Sequence, residues 1–383
     1  MPRKSRSIFK VLGLRRILAL IGVTILTFIA SHLWLLWLEM KTAKAQETTT
    51  MDPWIKKHWN HVKILTESVN LMQASKTILL WTKFFGVTNY VPEYTSLGCP
   101  VQKCFVTSNR DYLNKSDAVI FHLRDMNVDD MPPWRIQSQI WILLHHESPP
   151  HTPDILKNMG EMFNWTATYR YDSEIFLSPV VRKMDKEVSV AQHHNRYKKK
   201  MVAWLVSNCH TPSKREDFVE ELQKHIPVDI YGTCGTMLCM PKMSDECYNR
   251  LSKTYRFYLS FENSICKDYV TEKFFNILGT NMVPVVMGGA NYTVVAPPNS
   301  FIDALSFETP SDLARFLLQV AKDDKKYDSY FVWKKSYQLY SEHYVCDICK
   351  KLYEPKIKHS VYLNISNWWF QDANCRSWTP THN

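Results

Sequence analysis

The sequence predicts an α/β protein of two Rossmann-like domains set behind one membrane-spanning segment and a stem. Three observations carry this. Short continuous apolar runs recur along 75–352 with helix-period segments between them, the pattern of parallel strands buried on both faces. One uncharged run of 22 residues, 17–38, stands near the N-terminus. All ten cysteines lie beyond that run.

The run 17–38 is long enough as a helix to span about 33 Å, the thickness of a hydrocarbon core. Trp34 and Trp37 sit near its far end, where an interfacial aromatic belt belongs. Six cations precede it without an acid among them: Arg3, Lys4, Arg6, Lys10, Arg15 and Arg16. That flank predicts a cytosolic tail over 1–16 and a lumenal body. Taking these six from the net charge of +10 leaves +4 for the rest, which suits an anionic ligand and gives no reason to invoke nucleic acid. The rival reading is a cleaved signal peptide, with Ala43-Lys44-Ala45 as the cleavage site. The run exceeds the roughly 7–15 residues of a signal h-region, which favours an uncleaved anchor.

A lumenal body agrees with two other features. Four sequons place candidate N-glycans at Asn114, Asn164, Asn291 and Asn364. Ten cysteines, an even number, suit pairing in an oxidising compartment, although sequence alone leaves the connectivity open. Cys346 and Cys349 have the spacing of a redox or zinc motif. No second close pair completes a zinc site, so structural disulfides are the expectation.

Residues 39–74 are polar and aperiodic and read as a stem. Strands are expected at 77–81, 118–122, 140–144, 202–206, 228–231, 257–261 and 283–287. Helices are expected at 215–225 and from Thr309, where Leu313, Phe316, Leu317 and Val320 keep helical spacing. The basic segment 193–200 divides the two groups of strands and predicts a linker. The first domain is set at 75–195, the second at 196–352, and a C-terminal tail at 353–383.

The densest chemical signal is Phe257 to Phe275, FYLSFENSICKDYVTEKFF. A strand runs into a polar loop, and Thr271 caps the helix that follows. Open α/β sheets bind ligands at such strand ends. There Lys273 can neutralise a phosphate, Glu272 can hold sugar hydroxyls, and Tyr269 offers a ring and a hydroxyl. Arg215, after the strand ending at Val206-Ser207-Asn208, is a better bidentate partner for a diphosphate than lysine. The capping acid and surface lysine of an ordinary helix remain the competing explanation. No Gly-x-Gly-x-x-Gly or P-loop is present, which disfavours those dinucleotide and ATP sites. In the first domain, Glu147, Ser148 and Pro149 follow the strand ending at Leu144. The adjacent His145 and His146 cannot face one way on a strand, which argues against a His-His-Glu metal site.

The stretch Phe257–Lys273 closely resembles the donor-binding motif of the α1,3/4-fucosyltransferases, glycosyltransferase family ten. The resemblance extends through Val202–Asn208, Val228–Gly232, Val283–Gly289 with Asn291-Tyr292, and Pro297-Pro298 with Ser300–Asp303. It covers roughly 78–352. It implies a GT-B-like fold, two Rossmann-like domains facing a cleft, and transfer of L-fucose from GDP-fucose, with inversion, to the 3-hydroxyl of a GlcNAc. By this resemblance Arg215, Asn263, Tyr269, Glu272 and Lys273 contact GDP-fucose, Val206 and Ser207 hold base or ribose, and Tyr231 is a further candidate. Glu147 is the implied catalytic base, with Ser148 and Pro149 on the acceptor side. No cofactor or metal is required by the resemblance, with manganese a candidate stimulant. The implied partners are GDP-fucose, a GlcNAc-containing glycan and the Golgi membrane, the catalytic body being lumenal. Cys99 and Cys104 are implied to pair with Cys346 and Cys349, and Cys209 with Cys266. The chain departs from the family at Leu177-Ser178-Pro179, where a Pro-Tyr-Gly is usual. An inactive, lumenal glycan-binding relative is the alternative function.

Overall fold

The computed structural model describes residues 75–189, 197–242, 244–356 and 360–380. The expected tail, membrane span, stem and most of the linker lie outside the described residues. Among the described residues, no helix is long and apolar enough to cross a membrane.

Ser75–Asn383 forms one compact unit built on two parallel sheets. The first holds β1 (Lys76–Leu80), β2 (Cys104–Thr107), β3 (Ala118–His122), β4 (Ile140–Leu144), β5 (Trp165–Thr168) and β6 (Ile175–Phe176), in the order β2-β1-β3-β4-β5-β6. The strands β3 and β4 are buried at every residue, as their unbroken apolar sequences require of a sheet covered on both faces. The crossovers differ from expectation. Among the described residues before Lys200, short 3₁₀ turns replace α-helices. Pro132-Pro133, Pro149-Pro150 and Pro153 interrupt these connections, and proline removes the N–H that a continuing helix needs.

The covering layers come from the C-terminal end of the chain. A late helix (Tyr344–Leu352) places Val345, Ile348 and Leu352 against Ile78, Ile120 and Ile142. Ile365 and Trp369 cover the other face beside Val119, Phe121 and Leu143. Thus a helix placed by sequence at the end of the second domain completes the core of the first. Disulfides Cys99–Cys346 and Cys104–Cys349 tie it there, in the pairing that the family resemblance implies.

A two-stranded antiparallel ribbon joins β7 (Val180–Lys183) to a strand far along the chain (Tyr337–Tyr340). The second sheet begins with β8 (Lys200–Leu205), α1 (Arg215–Gln223), β9 (Val228–Tyr231), α2 (Asp245–Thr254) and β10 (Tyr255–Phe261). It continues with α3 (Glu272–Leu278), β11 (Val283–Met287), α4 (Tyr292–Val295), β12 (Ile302–Asp303) and α5 (Pro310–Lys322). Its order is β12-β11-β10-β8-β9, all parallel. Thr309 caps α5 by accepting the Asp312 N–H at 3.2 Å, and Leu313, Leu317 and Val320 enter the core as their spacing predicts.

The remaining disulfides correct one expected pair. Cys209 joins Cys234 and Cys266 joins Cys375, so Cys209–Cys266 does not form. The chain after Trp369 runs back along the β10–α3 loop. Lys267 N–H donates to Ala373 at 2.7 Å and Arg376 N–H to Ile265 at 2.9 Å, which sets Cys375 beside Cys266. Cys239 pairs with Cys247.

Candidate active site

A cavity of about 230 Å³ opens at the C-terminal ends of β8, β9 and β10. Val206, Ser207, Arg215, Asn263, Glu272 and Lys273 line it, so six of the expected donor contacts converge on one place. Tyr231 and Tyr269 do not line it. The Tyr231 hydroxyl is 2.9 Å from that of Tyr255, within a network that reaches Asp229 and Lys200 at the sheet edge. Tyr269 is 1% exposed, its ring edge-on to Tyr169 at 4.7 Å in the core that covers one face of the first sheet.

Lys273 is the centre of charge. Its Nζ lies 3.3 Å from Glu262, 3.2 Å from Glu272 and 2.9 Å from the Thr271 hydroxyl. Burial opposes its charge, yet the two carboxylates hold its pKa above the usual lysine range. Glu262 is fully buried and was not singled out in the sequence. Its carboxylate accepts from the Thr271 N–H at 2.8 Å and from the Thr271 hydroxyl at 2.9 Å. Burial raises its pKa, and Lys273 and Thr271 counter that. The signal available was its place at the end of β10, where a fully buried acid needs a partner. Glu272 also feels burial, but Lys273 beside it draws its pKa below the ordinary value. The helix α3 spans only seven residues, so side chains rather than a long helix supply the positive potential.

Arg215 is 3% exposed and partly committed to the frame. It donates to the Phe261 carbonyl at 2.6 Å and the Asn208 carbonyl at 3.2 Å. Its Nε and the Asn263 Oδ1 are buried without a hydrogen-bond partner among the described residues. Buried polar atoms are usually paired, and both of these belong to residues that line the cavity. The Val206 N–H is already given to Tyr231 at 2.8 Å, so it is not free for a ligand. Ser207 is exposed at the rim.

Glu147 stands at the end of β4 on a turn fixed from several sides. Ser148 is buried and donates to Ser264 at 2.7 Å, joining the Glu147 turn to the loop that carries Asn263. Beneath it the Thr152 hydroxyl donates to the Ser148 carbonyl at 3.0 Å and lies 3.0 Å from His145 Nε2. Trp369 Nε1 donates to the same hydroxyl at 2.8 Å. Pro149 is buried at the start of a 3₁₀ turn. Glu147 keeps 28% side-chain exposure, 3.7 Å from Arg124. Its charge, with those of Arg215 and Lys273, acts on the His151 ring, so Glu147 shares one electrostatic neighbourhood with the two cations. Ser264, Thr152 and Trp369 are supports that sequence reasoning missed, because the Ser148–Ser264 and Thr152–Trp369 contacts join residues more than 100 apart.

Three sequons, Asn114, Asn291 and Asn364, are exposed. Asn164 is not. It is 4% exposed, and its Oδ1 accepts from Arg135 and from the Trp141 N–H at 2.8 Å, so no glycan projects from it in this fold.

Two family models cover this body, Fucosyltransferase, N-terminal over 73–179 and Glycosyltransferase family 10 (fucosyltransferase) C-term over 195–368. The chain is 35% identical over 342 residues to Alpha-(1,3)-fucosyltransferase C of Drosophila melanogaster, covering 80% of each. The chain belongs to glycosyltransferase family 10. It is also 35% identical to Glycoprotein 3-alpha-L-fucosyltransferase A of the same organism, over 85% of this chain and 68% of that one. A solved α1,3-fucosyltransferase with GDP-fucose aligns at 14% identity and a TM-score of 0.47, covering 75% of this chain and 93% of that one. As a family 10 fucosyltransferase, the chain carries a charged cluster around Lys273 at the end of one parallel sheet and a half-buried carboxylate, Glu147, at the end of the other.

Proposed function

We propose that this fucosyltransferase moves L-fucose from GDP-fucose to the 3-hydroxyl of a GlcNAc, with inversion, across a GT-B-like cleft. One observation carries the reading: Ser148–Ser264 couples the turn bearing Glu147 to the loop bearing Asn263, beside the Lys273 pocket. In this mechanism the diphosphate lies against Lys273 and Arg215. They stabilise the negative charge that develops on departing GDP. Glu147 takes the proton from the attacking hydroxyl as the new bond forms. Asn263 and Glu272 orient ribose or sugar hydroxyls. Lys273 and Arg215 supply the positive charge, so the mechanism requires no metal, and manganese acts at most as a stimulant.

The acceptor approaches from the first domain. An open groove of about 1030 Å³ runs along the ends of β1 to β3, with Thr82, Asn109 and Asn127 on its walls and Trp81 in its floor. Hydroxyls and amides suit a glycan chain, while the Trp81 ring is buried under Arg110, which stands 4.1 Å from its centroid. We place the protein in the Golgi membrane as a type II protein with 17–38 as its span, supported by the uncharged run, the basic flank and the five lumen-compatible disulfides.

The test is incubation of the protein with GDP-fucose and a panel of GlcNAc-containing glycans, comparing N-glycan core with LacNAc and LacdiNAc antennae. The expected result is GDP release and fucosylated product for at least one acceptor. GDP-fucose binding without turnover on any of them would favour the glycan-binding alternative.

A further inference from the structure

Residues 233–242 leave β9 and return to α2, closing one side of the donor cavity through Leu238, Cys239, Met240 and Lys242. This segment is fastened at both ends. Cys234 is bonded to Cys209 after β8, and Cys239 to Cys247 in the first turn of α2. The Gly232 N–H donates to the Met237 carbonyl at 2.9 Å, and the Cys234 N–H to the Val206 carbonyl at 3.3 Å. The segment lies flush on β9, since a Cβ at Gly235 would stand 2.0 Å from the Ile230 carbonyl oxygen. Arg250 of α2 donates to the Met240 carbonyl. On this firmly held segment Leu238 is 74% and Met240 55% exposed, so both side chains are open to a ligand in the cavity.

The cavity has two chemically different sides. One side, Asn263, Glu272 and Lys273, comes from the β10–α3 connection, and the other, apolar except for Lys242, comes from the β9–α2 connection with Tyr248. The strand β8 lies between β10 and β9. Two strand spacings separate the sides by about 10 Å. That is the span a nucleoside diphosphate needs between its phosphates and its base.

We propose that 233–242 is a disulfide-fixed wall that contacts the nucleoside, with Leu238 and Met240 as specificity-determining side chains. The proposal rests on the donor reading above. The two disulfides hold the wall in its binding position before the donor arrives, so little ordering cost falls on binding.

The experiment is titration of the full chain with GDP and, separately, with inorganic diphosphate. The variants are Leu238→Ala/Met240→Ala, Cys239→Ser/Cys247→Ser and Lys273→Ala. Losing apolar contact of this size costs on the order of tenfold. The first two variants are therefore expected to weaken GDP about tenfold and to leave inorganic diphosphate unchanged. Lys273→Ala weakens both. If the alanine pair leaves GDP affinity intact, or weakens both probes equally, the nucleoside wall is wrong. If the serine pair fails to fold, the alanine pair alone decides. If the wild-type chain does not bind GDP, the donor reading itself falls.

Discussion

Lys273→Ala is the perturbation with the clearest arithmetic. The Nζ has 27% side-chain exposure and sits between Glu262, which has none, and Glu272. Removing it has two separable effects. The donor loses a charge-assisted contact to its diphosphate, worth about 1.5–3 kcal/mol, or roughly one to two decades in affinity. The fold loses the counter-charge of a buried acid, for which the usual cost is about 3–5 kcal/mol. Thr271 still donates twice to Glu262, and burial already raises that pKa, so the acid can take up a proton. The stability loss therefore falls at or below the low end of that range. Calorimetric titration with GDP reads the first effect and denaturant unfolding the second. Lys273→Ala/Glu262→Gln removes the buried charge along with its partner, and is expected to recover stability without recovering GDP affinity. GDP binding at wild-type strength in Lys273→Ala would refute the assignment. So would recovery of affinity in the double variant.

Two further outcomes follow from other parts of the molecule. The body 45–383 behind a cleavable signal is expected to be secreted, glycosylated and active, because both sheets and all five disulfides lie within it; a full-length protein found secreted with Gln46 as its new N-terminus would show cleavage instead of anchoring. Burial, with His122 adding to it, pushes His145 down to about 3 and His146 to about 4. Both stay neutral in the fold while the unfolded chain takes up protons below about 6.5. Their contribution is thus complete above about pH 6.5 and is lost as pH falls toward 4, at roughly 1 kcal/mol per pH unit for a buried histidine. Denaturant midpoints at pH 7.5 and 5 should show this fall, and a His145→Gln variant that falls as steeply as wild type would contradict it.

The strands were legible because parallel β leaves continuous apolar runs. Those predicted at 118–122, 140–144 and 283–287 match β3, β4 and β11 residue for residue. The helix opening at Thr309 was legible from its cap and its period. The missing crossover helices were not, since proline and asparagine mark a break without saying what replaces it. The helix carrying Cys346 and Cys349 has the right period, but nothing local says which sheet it covers; only its disulfides place it. Lys273 and Arg215 could be found by their type at strand ends. Tyr269 sits in the same motif, yet it packs into the core of the first sheet, a distinction made by Tyr169 about a hundred residues away. Glu262 was hidden for the opposite reason, because a buried acid inside an apolar stretch shows its role only once Lys273 and Thr271 fold against it. Leu238 and Met240 look like ordinary loop residues until the disulfides bring them to the cavity.

Glu147→Gln tests the central claim most directly. The amide keeps the shape of the turn, including the Ser148–Ser264 contact at 2.7 Å, but cannot accept a proton. The measurement is GDP affinity and single-turnover transfer from GDP-fucose, made on the same preparation. Loss of a positioned base costs about 10²–10⁴-fold. The expected result is GDP binding at wild-type strength with transfer reduced by at least about a hundredfold. Transfer retained above about a tenth of wild type would contradict it and assign the proton to another group, with His146 or His145 next to be tested.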